Sequence, residues 1–162
     1  MGILASLWGD VNPGRGSDLI LKAFAMVQQQ LPDSRLVLTG KPPAHAVSSP
    51  AVINLGYVDD ALMPIVTNAV DVCSVILADT SFGRFSYPAK LCEAMACGIP
   101  VVASGTQAVT WMLGNDTRYL ARVGDVEDHA RLMLANYPIR DAGYVLPPSW
   151  KDGAARLVSL LS

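Results

Sequence analysis

Short apolar runs alternate with helix-like stretches along the whole chain, and this alternation constrains the fold more than any other feature of the sequence. Residues 3–8 and 35–39 read as strands, and residues 18–30 between them carry apolar side chains at helical spacing, which makes a βαβ unit. The pattern continues with strand 52–55, helix 60–68, strand 72–77, helix 88–97, strand 101–103, helix 107–113, strand 119–121, helix 126–135 and a terminal helix 150–161. Parallel strands covered on both faces need near-continuous apolar runs, and a chain with 51% hydrophobic and 16% charged residues can supply them. The expectation is an α/β domain: a doubly wound, mostly parallel, Rossmann-like sheet of about six strands with helices on both faces. A surface that meets a partner domain would raise the apolar share in the same way.

At 162 residues, with no internal repeat and no low-complexity segment, the chain has the size of one domain. A net charge of −2 with scattered basic residues gives no general attraction to nucleic acid or anionic lipid, so no nucleic-acid partner is expected. Cys73, Cys92 and Cys97 form neither a CxxC pair nor an even disulfide framework, which points to a reducing compartment and a cytoplasmic location. His45 and His129 are the only histidines, and no cluster has zinc-ligand spacing, so no protein-held metal is expected. No apolar run approaches the roughly 20 residues of a membrane span, and no charged region precedes an apolar stretch at the start.

Open α/β sheets bind ligands beyond the carboxyl ends of their strands, which singles out the loops 9–16, 78–88 and 104–106. The first carries Gly9, Gly14 and Gly16, where backbone can approach phosphate oxygens, with Arg15 beside the next helix start. A glycine-rich connection without a ligand reads the same way. The loop also brushes against the P-loop pattern, but Arg15 replaces the lysine and Gly16 displaces the Ser17 hydroxyl by one residue, so nucleoside-triphosphate hydrolysis is not expected.

The segment after the second loop is richer in chemistry. Pro88 suits the first turn of a helix, leaving the N–H groups of Ala89 and Lys90 free to meet an anion, and Lys90 adds a positive charge there. Side chains on a helix lean toward its N-terminus, so Glu93 reaches back over the same ligand, with two oxygens that suit a ribose diol. Lys90 and Glu93 are equally placed to form a surface ion pair three residues apart.

The stretch from Pro88 to Ser104, PAKLCEAMACGIPVVAS, resembles the EAMACGxPVVAS signature of the retaining family-four glycosyltransferases. Residues 16–25, GSDLILKAFA, are similar to that family's KGxDLLLxAFA helix, and residues 32–40, PDSRLVLTG, to its PDxxLVLxG strand. Leu55-Gly56-Tyr57-Val58 and Val123-Gly124-Asp125 fall in the same order and spacing. The resemblance implies one half of a GT-B fold, the C-terminal domain that binds the donor nucleoside-diphosphate sugar, with an acceptor-binding N-terminal domain lying outside this chain. It further implies transfer with retention of configuration and without a metal cofactor, the alternatives being a catalytically silent nucleotide-sugar-binding module or a sugar-nucleotide epimerase or phosphorylase of the same architecture. By the same resemblance Glu93 holds the donor ribose, Arg15 with Gly9 and Gly16 faces the diphosphate, and Gly56, Tyr57 and Val58 border the base.

The chain departs from the family pattern at identifiable places. Eight residues before Glu93, where the family has its first acid, stands Phe85, and Asp79 is a poor substitute for it. Asp10 stands where a second phosphate-binding arginine is frequent, and Lys90 could restore that charge. Gln107-Ala108 replaces a glycine pair, and Trp111 an acid that often follows. Of the remaining polar residues, Asp125 and Asp128 read as a helix cap, and His45 as an exposed imidazole. Met63, Met95, Met112 and Met133 read as core, Cys92 and Cys97 as small packing residues, and Trp111 and Trp150 as core or domain interface alike.

Overall fold

The computed structural model describes residues 2–8, 17–42, 44–145 and 149–161. Among these, β1 (Gly2–Trp8), β2 (Arg35–Lys41), β3 (Val52–Asn54), β4 (Val72–Val75), β5 (Val101–Ser104) and β6 (Leu120–Ala121) form one sheet in the order β3-β2-β1-β4-β5-β6. Every adjacent pair is parallel. The chain winds outward from β1 in one direction and from β4 in the other, which is the doubly wound topology the alternation predicts. The helices are α1 (Ser17–Gln30), α2 (Met63–Asn68), α3 (Ser81–Phe85), α4 (Ala89–Ala96), α5 (Gln107–Met112), α6 (Val126–Asn136) and α7 (Trp150–Leu161).

Strand alternation divides the core into two clusters, one on each face of the sheet. Leu36, Leu38, Val72 and Val102 point to the face covered by α1 and α6, where Ile20, Ala23, Phe24 and Val27 meet Ala130, Leu132 and Met133. The α1 residues recur at i, i+3, i+4 and i+7, the spacing of a single buried stripe. Cys73, Val75, Val101 and Ala103 point to the other face, against Met63 of α2, Leu91, Ala94 and Met95 of α4, and Val109 of α5.

The cap residues behave as the sequence implies. Asp125 Oδ1 accepts the Asp128 N–H at 2.8 Å and starts α6. Asp128 is itself buried, and its carboxylate accepts from the Arg122 N–H at 2.9 Å and from Arg131 at 2.6 Å. Burial pushes its pKa up, but those two donors outweigh it and hold the group below the usual carboxylate range. At the end of α4, Gly98 takes φ +69°, its N–H donates to Met95 O at 3.0 Å, and the Ile99 N–H donates to Ala94 O at 3.1 Å. That pair of bonds is the Schellman closure a glycine makes possible.

The structure differs from the sequence reading in four places. Residues 78–88, expected as loop, contain α3, which Thr80 caps by accepting the Gly83 N–H at 3.0 Å. The loop 41–50 contains a 3₁₀ turn, Ala44–Val47. The helix expected from residue 60 begins at Met63, with Pro64 in its first turn. Strand β4 stops at Val75, because from residue 76 the chain turns toward α3.

Candidate functional site

The start of α4 is open. Its N-cap, Pro88, is extended (φ −77°, ψ 110°) and has no side chain able to cap. The N–H groups of Leu91 and Cys92 return to the Pro88 carbonyl at 3.0 and 3.5 Å, whereas no described residue accepts from the N–H of Ala89 or Lys90. Orphan donors and the partial positive charge of the helix end therefore meet at one place.

Lys90 Nζ lies 2.9 Å from Glu93 Oε2, with both side chains 39% exposed, so the i,i+3 ion pair is formed. Beneath the pair, a small cavity of ≈ 20 Å³ is lined by Thr39 of β2, Thr67 of α2 and Cys73 and Val75 of β4, together with Lys90 and Glu93. Such a space holds about one water. Thr39 is 4% exposed, and its hydroxyl has no hydrogen-bond partner among the described residues. An unmet buried hydroxyl costs roughly 1–3 kcal/mol, which favours a water or ligand atom at that point. On the other side of Glu93 a larger cleft of ≈ 410 Å³ runs between α2 and α4, lined by Asp60, Met63, Pro64, Thr67, Ala96 and Cys97. Glu93 thus stands on the wall between a small niche that holds the Thr39 hydroxyl and a larger cleft.

Burial, with smaller contributions from Cys97 and Glu93, pushes the Cys73 thiol up to about 12, so it stays neutral and acts as packing. Cys92 and Cys97 are half-buried and unpaired in disulfides. Among the described residues no three His, Cys, Asp or Glu side chains come together as a metal-binding group.

Of the residues singled out in the sequence, the structure brings Ala89, Lys90 and Glu93 together, and it places Gly56, Tyr57 and Val58 at the same end of the sheet. These three follow edge strand β3. Gly56 sits at φ +63°, its N–H donates to Asn54 Oδ1 at 3.0 Å, and its carbonyl accepts the Gly40 N–H at 2.7 Å. That bond ties the loop to the end of β2, one residue from Thr39. Tyr57 is exposed, and Val58 packs on the core below α2 and α4. Gly9, Asp10, Arg15 and Gly16 lie outside the described residues. Asp79 is held by Arg84 at 2.6 and 3.2 Å through both carboxylate oxygens, so it does not stand in for the missing acid.

His45 is exposed and lies 3.6 Å from Asp18, away from α4. His129 is fully buried on the α1/α6 face, where its Nε2 lies 2.8 Å from Ser74 Oγ. Trp111 is exposed, and no core position accounts for it. The sequence reading passed over Thr39, Thr67 and Asp60. Thr39 alone had a legible mark: it is the polar residue that ends the apolar run Leu36-Val37-Leu38.

With this geometry in place, the comparisons with known proteins are consistent with one another. The fold is shared with solved glycosyltransferase-type chains: sucrose-phosphate synthase from Thermosynechococcus elongatus aligns with a TM-score of 0.73 at 20% identity, over 99% of this chain and 44% of that one. HepE from Anabaena, solved in complex with UDP-glucose, aligns with a TM-score of 0.64 at 19% identity, over 82% of this chain and 38% of that one. Likeness at these identities shows the fold. The profile of the family described as Glycosyl transferases group 1 matches residues 5–137, and the chain belongs to that family. A phosphatidyl-myo-inositol mannosyltransferase from Propionibacterium freudenreichii subsp. shermanii is 34% identical over 125 residues, 75% of this chain. The match covers 31% of that relative, so the chain spans about a third of its length. No helix among the described residues is long and apolar enough to cross a membrane.

Proposed function

We propose that this chain is the donor-binding domain of a glycosyltransferase that moves a sugar from a nucleoside-diphosphate sugar to an acceptor with retention of configuration. The observation that carries the reading is the convergence at α4, in a group 1 glycosyltransferase, of unclaimed N–H groups, Lys90, Glu93 and the orphaned Thr39 hydroxyl. In this reading the diphosphate rests on the Ala89 and Lys90 N–H groups and on the Lys90 ammonium, while Glu93 turns to the ribose diol. The Lys90–Glu93 pair does not stand in the way. A half-exposed pair contributes about 1 kcal/mol or less, whereas charge-assisted hydrogen bonds to a ligand contribute roughly 1.5–3 kcal/mol each. Arg15 and the glycines Gly9 and Gly16 would complete the phosphate cradle, and Gly56, Tyr57 and Val58 would border the base.

The departing diphosphate gains charge as the glycosyl bond breaks, and fixed donors aimed at it lower that barrier without a metal. Acceptor positioning belongs to a facing domain, in keeping with the share of the mannosyltransferase relative that this chain covers. The unpaired cysteines fit a cytoplasmic location. A thermal-shift panel of UDP, GDP, ADP, dTDP and their sugars, with and without EDTA, tests the proposal. Stabilisation by at least one nucleotide at millimolar concentration, unchanged by EDTA, is the expected result. No shift with any of them sinks the donor reading, and a shift that needs magnesium or manganese sinks its metal-free form.

A further inference from the structure

Three buried side-chain hydroxyls lack a partner among the described residues, those of Ser34, Thr39 and Thr106, and Thr39 is the one that lines the niche under Lys90 and Glu93. Val37 and Thr39 alternate along β2 with Leu36 and Leu38, so the Thr39 side chain leaves the sheet on the face covered by α2 and α4. Strand β2 is an inner strand, held by β1 on one side and β3 on the other, and the β-branched side chain is stiff. The hydroxyl is therefore presented to the niche from a fixed point.

The lining decides what that hydroxyl can meet. The side chains of Met63, Val75 and Ala94 make no strong hydrogen bond, the Ser74 hydroxyl is turned to His129 at 2.8 Å, and the Cys73 thiol stays neutral and donates weakly. Thr67 of α2, Lys90 and Glu93 remain. A space of ≈ 20 Å³ admits about one water, and a buried water makes about three hydrogen bonds. The bonds add up. The Thr39 O–H donates to the water, and the water donates to Glu93 and to the Thr67 hydroxyl oxygen, which keeps an acceptor lone pair whatever its own proton does.

Glu93 gains from such a hold. Its Oε2 is paired with Lys90, and a diphosphate at the start of α4 draws that ammonium away. A half-exposed glutamate released from its partner samples several rotamers, and the freedom it then loses on gripping a diol weakens binding. We infer that Thr39 is a positioning residue for Glu93: its hydroxyl, through one water shared with Thr67, holds one carboxylate oxygen from beneath and leaves the other turned to the ribose diol. The inference rests on the donor reading above. Gly40, the next residue, donates its N–H to the Gly56 carbonyl at 2.7 Å, so one strand end anchors both the ribose grip and the loop read as the border of the base.

The test compares Thr39→Val, which keeps the shape and removes the hydroxyl, with Thr39→Ser, which keeps the hydroxyl, and repeats the valine on Glu93→Ala. In thermal unfolding without ligand, Thr39→Val is expected to lower the melting temperature by about 2–4 °C, because the water loses a partner. A rise instead would mean that the hydroxyl is bare in a dry niche, and it overturns the inference. Calorimetric titration then uses whichever of UDP, GDP, ADP and dTDP binds, together with its analogue lacking the ribose hydroxyls. Thr39→Val should weaken the diphosphate about three- to tenfold and the analogue by less than about twofold, and Thr39→Ser should keep most of the affinity. On Glu93→Ala the valine should change nothing further. Equal weakening of diphosphate and analogue, or the same loss with Glu93 removed, overturns the positioning role and leaves Thr39 as packing under α4. Failure of all four diphosphates to bind the unsubstituted chain overturns the donor reading itself, a result distinct from the others because the melting shift needs no ligand.

Discussion

One face of the sheet is closed by two long helices, α1 of 14 residues and α6 of 11, while the other is covered by short ones, α2 of 6, α4 of 8 and α5 of 6. The long helices pack against each other as well as against the strands and bury Ile20, Val27 and Met133 completely. Among the short helices lie the niche under Lys90 and Glu93 and the cleft between α2 and α4. Both faces bury a core, and Leu91, Val101 and Val109 are as fully covered as Ile20 and Met133, but the residues read as ligand contacts gather on the second face alone.

Truncation of a fully buried side chain should be the most damaging single change, far above one on the exposed side of the short helices. Met133→Ala, at a position with 0% exposure, is expected to lose about 2–5 kcal/mol of stability, whereas Ile65→Ala on α2, at 67% exposure, should stay within about 0.5 kcal/mol. Urea unfolding followed by circular dichroism compares the two, and equal losses would mean that the outer side of α2 is packed against something the fold does not account for.

The closed face also holds a titrating group. Burial lowers the His129 pKa from 6.5 to about 4, with the Asp128 charge opposing the shift. Between those values the unfolded chain takes up a proton that the folded one refuses. Stability is therefore complete above pH 6.5 and falls as the pH drops toward 4, by about 3 kcal/mol in all. The carboxylates held low by their partners, among them Asp71 and Asp128, lose their contributions only below about 4, so the window belongs to the histidine. His129→Gln should flatten the stability curve between pH 6.5 and 4. A slope unchanged by that substitution means the imidazole is not the sensor.

How much of this division the sequence discloses depends on the length of each element. Strand and helix alternation is legible because β1, β2, β4 and β5 sit in apolar runs and the short β3 and β6 fall at the places the alternation leaves for them, and the Pro88 and Gly98 punctuation frames α4. The five residues of α3 are too few for a periodic pattern, and what stabilises them is local: the Thr80 cap and the close fit of Gly83 against Ala78. Lys90 and Glu93 are visible as a helix-start pair, but their spacing alone does not separate ion pair from ligand site. Thr39 becomes meaningful only when β2 is set beside β4 under α4, and the bond between Ser74 and His129 crosses 55 residues that no local pattern connects.

On the open face the expected losses are in binding. Glu93→Ala should weaken nucleoside-diphosphate affinity by about tenfold to a hundredfold, the range for losing roughly 1.5–3 kcal/mol of charge-assisted bonding, and a 2′,3′-dideoxy nucleotide should abolish most of the difference from the unsubstituted chain. Lys90→Ala should act on the diphosphate and not on the nucleoside, with an effect that shrinks as salt is raised. Titration calorimetry reads both, and intact affinities would return the pair to a surface role.

The smallest effect separates the two roles of that pair most sharply. Lys90 and Glu93 meet at 2.9 Å, but each side chain is 39% exposed, so water screens the attraction and two long side chains give up rotamer freedom to keep it. A double-mutant cycle on stability, with Lys90→Ala, Glu93→Ala and both together, is expected to give a coupling of about 0.2–1 kcal/mol. The same cycle on diphosphate binding should give a different sign pattern. Removing Glu93 frees the ammonium that the diphosphate recruits, so part of the loss at the ribose is recovered at the phosphate only while Lys90 is present. A stability coupling well above 1 kcal/mol, with no coupling in binding, would mean that the pair is a structural clamp on α4, and the open face would then lose its principal ligand contacts.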